Sequence, residues 1–338
     1  MWPDTGGPLR PRAFLPVAAH RPGVAVGRVA ARRRGSRRDD ARGRHRRGRH
    51  HAPVPEPARS TARPPRPRAL LRRRRCGDAL RGIALRDQVL PSVDAPVAGY
   101  LSPPYLLDDV SRGVTVRHLL TMTSGFEWSE DNVGDYNLWI VADDHVQYLF
   151  DRPHASPPGT QFAYNSAAVH TLGVVLQHAA GMPLPLYARD RLFAPIGIDS
   201  VAWEALDRGT VNGGSGIQLR GRDLLKLGQL YLQRGWSAER SVVPEGWVDD
   251  TTRPRFGWRN DYGAQKSVTY GMLWWVSDAS PPAFFAWGYG GQFVYVVPGR
   301  DLVVVATTNW RSLTETTPAA IAQDVLGVIV RDVVSAAR

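Results

Sequence analysis

Residues 293–307 read Phe293-Val-Tyr-Val-Val-Pro-Gly-Arg-Asp-Leu-Val-Val-Val-Ala-Thr307. Two runs of β-branched and aromatic residues flank Pro298-Gly-Arg-Asp301, a strong antiparallel hairpin signal. Their apolar character is continuous rather than alternating, which predicts strands covered on both faces. Upstream, Phe284 to Gly288 and Thr269 to Val276 read as two further strands. Downstream, Thr317 caps a helix with Pro318 at its first position and Ile321, Val325 and Ile329 on one face. The last hundred residues thus predict an antiparallel sheet with a helix over it.

Before this sheet the period changes to that of helices. Leu80 to Pro91 reads as a helix end and a turn, and Asp94 to Leu101 as a short helix or extended link. A helix starts at Thr115 and stops at Gly125, and another covers Asp143 to Phe150. Ala167 to Ala179 is a strong helix with Gly181 as its stop, and Pro183 to Leu192 continues as helix. Asn212 to Gly216 reads as a flexible link. Arg222 to Gln233 is amphipathic, with Leu224, Leu227 and Tyr231 on one face and Gly228 among them, where it would permit close packing. Pro244 to Asp250 is a short helix.

The net charge of +12 would suggest a polyanionic partner if it were spread over the chain. It is not. Residues 1–80 hold 22 arginines and 5 acidic residues, net +17, whereas residues 81–338 hold 21 basic and 26 acidic residues, net −5. The chain therefore divides into an Arg/Pro-rich segment, 1–78, and a domain, 79–338. The first segment shows no helical or strand period. It reads either as a disordered basic tail that could bind nucleic acid, or as a GC-rich gene translated in the wrong frame; the second is preferred. A single cysteine, Cys76, excludes an intramolecular disulfide framework and a multi-Cys metal site. No apolar run approaches the roughly 18–20 residues of a membrane span. Ala13 to Ala19 contains Pro16 and lacks a clear small-residue cleavage site, so it is not read as a signal peptide. The compartment stays open: cytoplasmic as written, secreted or periplasmic if a native N-terminus has been lost.

The candidate chemistry lies at Phe162-Ala-Tyr-Asn-Ser166, at the mouth of the 167–179 helix. Tyr164 is a candidate base there, and Ser166 is its nearest hydroxyl. Acyl transfer also needs backbone N–H donors for an oxyanion. Gly288-Tyr-Gly-Gly-Gln292, between two strands, would let a substrate carbonyl approach closely. His118, His145 and His170 are scattered and no metal-ligand spacing links them, so no metal or cofactor is expected. Asp223 reads as a cap or salt-bridge residue. Trp258, Trp274, Trp275 and Trp287 could line a cleft, though core packing is the plainer role for most of them.

The order His118-Leu-Leu-Thr-Met-Thr-Ser-Gly125, Phe162 to Ser166, Gly221 to Leu232, Ala286 to Gln292 and the closing hairpin resembles the serine β-lactamase and penicillin-binding-protein superfamily. It is most similar to the class C-type branch that includes esterases and 6-aminohexanoate-dimer hydrolases. The resemblance covers roughly residues 79–335 and implies an α/β fold of the α+β type: an antiparallel sheet flanked by helices, with a helical lobe and the site between them. It implies amide or ester hydrolysis through an acyl-serine. Tyr164 would match the tyrosine of the Tyr-x-Asn or Tyr-x-Ser motif, as general base and acid, with Ser166 in third place. Ala286-Trp287-Gly288 would match the third motif, with the Tyr289 N–H as an oxyanion donor. A register shifted to Tyr289-Gly290-Gly291 would move the donor to Gln292. Neither register begins with a cation, which favours a small amide or ester over a carboxylate-bearing β-lactam.

One part of the pattern is missing. Counting back from Gly82-Ile-Ala84, the family's Ser-x-x-Lys would put its serine at Leu71 and its lysine at Arg74. No Ser-x-x-Lys occurs in the chain; its only lysines, Lys226 and Lys266, follow Asp223 and Gly263 at that spacing. Nothing in residues 1–70 reads as the family's first strands either. The sequence thus predicts an enzyme scaffold that is inactive as written and poorly stable, with an unpaired sheet edge. The alternatives are a non-catalytic ligand-binding relative and polyanion binding through the Arg-rich tail.

Overall fold

The computed structural model describes residues 77–101, 105, 107–130, 134–206, 209–313 and 315–337, with the backbone of 24–28 and 69–70. The strands are β1 (Val24–Arg28), β2 (Ala69–Leu70), β3 (Ala202–Trp203), β4 (Ile217–Leu219), β5 (Trp236–Ser237), β6 (Arg240–Ser241), β7 (Asn260–Tyr262), β8 (Gln265–Tyr270), β9 (Trp275–Ser277), β10 (Ala283–Gly288), β11 (Gln292–Val297) and β12 (Leu302–Ala306). The helices are α1 (Gly77–Arg86), α2 (Asp109–Arg112), α3 (Val116–Leu120), α4 (Gly134–Trp139), α5 (His145–Phe150), α6 (Ser166–Ala180), α7 (Leu184–Ala188), α8 (Gly221–Leu232), α9 (Glu245–Thr251) and α10 (Pro318–Gly327).

Among the described residues the main sheet has the order β1-β12-β11-β10-β9-β8-β7, antiparallel throughout. β11 and β12 are buried along their whole length, as their unbroken apolar runs predict. On one face lies α10, which buries Ile321 and Val325, with Ile329 buried just beyond its end, against Phe285, Phe293 and Tyr295. On the other lies α8, whose Leu224 and Leu227 share a core with Val294, Val296, Val303 and Val305. Gly228 is what lets α8 approach: a Cβ there would stand 2.5 Å from Val303 Cγ1 and 2.8 Å from Val294 Cγ1. The helices α1 and α3 to α7 add the helical lobe to the α8 side of this core.

The helix expected from Thr115 to Gly125 ends at Leu120, and the fold departs from the sequence reading in three further places. Thr269 to Val276 is not one strand. It is the end of β8, a turn at Gly271–Trp274 and the start of β9. The turn closes with the Gly271 N–H on the Trp274 carbonyl at 2.8 Å. Met272 and Leu273 donate to the carbonyls of Thr251 and Leu120, so contacts with α9 and α3 impose it. Second, Asn212 to Gly216 is packed rather than a loose link: Asn212 Oδ1 accepts from the N–H groups of Gly214 and Ser215, and both Asn212 and Ser215 are buried. Third, strands do occur within residues 1–70. β1 pairs with β12, Val24 opposite Ala306 through Arg28 opposite Leu302, and β2 pairs with β4. The β12 edge expected to stand open is therefore paired. Val24 and Val26 do alternate at the strand period, but the run is too short to stand out among Arg and Pro. Gly77 and Asp78, assigned to the Arg/Pro-rich segment, belong instead to α1, while positions 71 and 74, Cys76 and the other residues of that segment outside β1 and β2 lie outside the described residues.

Candidate active site

Tyr164 sits in an irregular stretch, 162–165, that leads into α6, and Phe162 and Tyr164 both meet Tyr270 and Trp275. The Tyr164 ring is half-buried and stacked on Trp275, with centroids 5.8 Å apart and planes at 28°.

The helix mouth beside it is fixed from three directions. Asn165 is the N-cap, its Oδ1 accepting the Ala168 N–H at 2.9 Å. The Ser166 N–H donates to the Glu130 carboxylate, which also accepts Trp128 Nε1–H at 3.1 Å. A carboxylate at a helix N-terminus is favoured by the dipole as well as by these bonds. Gly214 lies so close to the Ser166 carbonyl oxygen that no side chain fits there. Ser166 is buried, at 2% exposure, which gives it a packed place at the first turn of α6.

The third-motif candidates lie at the end of β10. Ala286-Trp287-Gly288 are its last three residues, and Tyr289-Gly290-Gly291 form the turn to β11, with Gly288 opposite Gln292. Gly290 and Gly291 have φ of +68° and +86°, and Gly290 abuts the Trp310 ring. Tyr289 meets that same ring edge-on at 5.0 Å. Gln292 is wholly buried; its Nε2 donates to the Thr308 carbonyl at 2.9 Å and its Oε1 accepts the Thr308 N–H at 3.3 Å, while the Thr308 hydroxyl donates to the Gly290 carbonyl. The turn is thereby tied to the end of β12. Trp275 links the two parts of the site: it stacks on Tyr164 and lies 5.8 Å from Trp287.

The other polar residues have separate places. Lys226 pairs with Asp223 at 3.1 Å and Lys266 with Asp261 at 3.0 Å. Asp223 is also held by Arg220 at 2.6 Å, the salt-bridge role its sequence context suggests. His145 and His170 are not scattered: their rings lie 5.8 Å apart around Trp139. Burial, with His145 beside it, pushes His170 down to about 3 and so favours its neutral form. Among the described residues no group of three or more His, Cys, Asp or Glu side chains is placed to hold a metal ion, and no helix is long and apolar enough to cross a membrane. Trp274 leaves the site altogether and donates to the buried Asp78 carboxylate at 2.8 Å. A shallow groove of about 510 Å³ between α1 and α9 includes none of the candidate site residues.

The sequence reading named Trp258 as a possible cleft residue but missed Glu130, Gly214 and Phe256. None carries a local signal, because each reaches the site through the tertiary fold.

An antiparallel sheet with α8 and α10 on opposite faces and a helical lobe beside it is the β-lactamase/transpeptidase-like fold. A family model described as Beta-lactamase matches residues 79–328, and the chain belongs to that family. It is 23% identical over 256 residues to the 6-aminohexanoate-dimer hydrolase of Paenarthrobacter ureafaciens, covering 70% of this chain and 64% of that one. It is 24% identical over 256 residues to penicillin-binding protein 4 of Amycolatopsis lactamdurans, covering 64% and 65%. The chain thus spans less than two thirds of either relative. A penicillin-binding protein from Bacillus halodurans has a similar structure, with a TM-score of 0.59 at 18% identity over 78% of this chain and 85% of that one.

Proposed function

We propose that this chain is a serine-hydrolase scaffold for small amides or esters that keeps the base and oxyanion parts of its site and lacks the nucleophile. Tyr164 is the general base and acid, Ser166 its companion at the helix mouth, and Gly288 with the Tyr289 N–H the oxyanion side. The observation that carries this is the Tyr164–Trp275–Trp287 contact series, which joins the α6 mouth to the last residues of β10. A base needs an attacking group within hydrogen-bond reach, and no Ser-x-x-Lys stands anywhere in the sequence. As written, the chain forms no acyl-serine.

Hydrolysis of 4-nitrophenyl acetate tests this. The unaltered chain is expected to match the buffer rate. Leu71→Ser with Arg74→Lys is expected to raise it, and Tyr164→Phe in that background to remove the gain. A gain that survives Tyr164→Phe would sink the assignment of the base.

A second reading has support of its own. A relative that has lost only catalytic side chains keeps its strands, and β1 pairs with β12 along five residues. On that reading the chain binds an acyl ligand without transferring it.

A further inference from the structure

Four partly buried rings, Phe162, Phe256, Trp258 and Trp275, pack on the edge of the main core in a series that reaches the candidate base. Phe162, two residues before Tyr164, lies 5.4 Å from Phe256 at 72° and 5.2 Å from Trp258. Phe256 and Trp258 stack on each other at 5.6 Å with planes at 20°. Phe162 also meets Trp275 edge-on at 6.4 Å, and Trp275 stacks on Tyr164. All four rings are half-buried. They differ in this from Trp274, Phe285 and Phe293, which are closed into the core.

The loop that carries two of them is held firmly. Arg259 donates to the carbonyls of Phe256 and Trp258 at 2.7 and 2.9 Å and pairs with Asp278 at 2.7 Å. The other arginines of the segment are also paired: Arg253 and Arg255 both reach Asp250 at 2.7 Å. A carboxylate approaching these rings would find each of these guanidiniums already bound to a carboxylate, with Arg253 and Arg255 sharing the single charge of Asp250.

We infer that Phe162, Phe256, Trp258 and Trp275 form the selecting surface of this site and take a neutral aryl group, as carried by an aryl ester or anilide. This rests on reading Tyr164 as the reacting group, because Tyr164 continues the same ring series. Aromatic pairs gain from stacked and edge-to-face geometry beyond the area they bury, so a planar ring is favoured over an aliphatic group of equal size. Ligand sites use apolar rings for affinity and a few polar groups for orientation; on the proposed reading Tyr164 is the orienting group.

Calorimetric titration of the full chain with 2-naphthol, 2-naphthoate and cyclohexanol tests the inference without requiring turnover. Saturable binding of 2-naphthol is expected, at least tenfold tighter than either of the others. Trp258→Ala is expected to weaken it at least fivefold, and Trp236→Ala, on β5, to leave it unchanged. If Trp258→Ala changes the circular dichroism spectrum, Trp258→Leu takes its place with the same loss expected, since it keeps apolar area and removes the ring. Absence of saturable binding, equal affinity for the three ligands, or indifference to loss of the Trp258 ring overturns the inference. Loss of the proposed base is read separately, as hydrolysis lost in Tyr164→Phe in the Leu71→Ser, Arg74→Lys background, whereas loss of the aryl surface is read as 2-naphthol affinity lost in Trp258→Ala.

Discussion

The Glu130 carboxylate accepts the backbone N–H of Ser166, the first residue of α6, from 36 positions away in the chain. It also holds Trp128 through the indole N–H. One carboxylate therefore fixes the helix mouth that presents Tyr164.

Removing it has a definite expected cost. Hydrogen bonds to a charged group contribute about 1.5–3 kcal/mol. Glu130→Ala is expected to lower stability by about 2 kcal/mol in urea unfolding, and Glu130→Gln, which can still accept the Ser166 N–H, by less. Equal stability of Glu130→Ala and the parent would show that the helix mouth does not depend on this contact.

A second prediction concerns pH. Asp78 is buried in α1, where Tyr231 and Trp274 donate to its carboxylate and Trp247 to its carbonyl. Burial raises its carboxyl from 3.8 to about 6, more than those hydrogen bonds lower it. The unfolded chain releases this proton at lower pH than the folded chain does. Ionised Asp78 therefore opposes folding, with no penalty below about pH 4 and the full penalty above about pH 6, at most about 3 kcal/mol. Arg81, one turn on, attracts the carboxylate and reduces that figure. Thermal melts from pH 4 to 7 are expected to fall for the parent and to be flatter for Asp78→Asn. Parallel curves for the two proteins would remove Asp78 as the cause.

A third concerns the packing of α8. A methyl group at Gly228 would overlap Val303 and Val294 on β12 and β11. Overpacking of this kind costs about 1–3 kcal/mol, so Gly228→Ala is expected to lower the unfolding midpoint. Gly228→Ala with Val303→Ala is expected to recover part of the loss. No recovery in the double variant would place the strain elsewhere.

The elements legible in the sequence are those whose signal is local. β11 and β12 stand out through their β-branched runs and Pro298-Gly-Arg-Asp301. The start of α10 is marked by Thr317, whose hydroxyl accepts the Ala320 N–H at 3.2 Å, and by Pro318. The turn between β8 and β9 is hidden because its left-handed residue is Leu273, at φ +59°, and not a glycine. β1 is hidden because its partner is β12, at the far end of the chain. The same division holds at the site. Tyr164 and Trp258 are legible as candidates because a helix mouth and an isolated tryptophan are local features. Glu130 and Phe256 are not, because only long-range packing brings them near Tyr164.

On the proposed reading the chain carries an acyl-transfer scaffold without its nucleophile. Intact-mass measurement of the full chain after incubation with a fluorophosphonate probe tests it most directly. An unchanged mass is expected. A covalent adduct on a serine, lost in Tyr164→Phe, would contradict it by showing a working nucleophile at a position the sequence pattern does not mark.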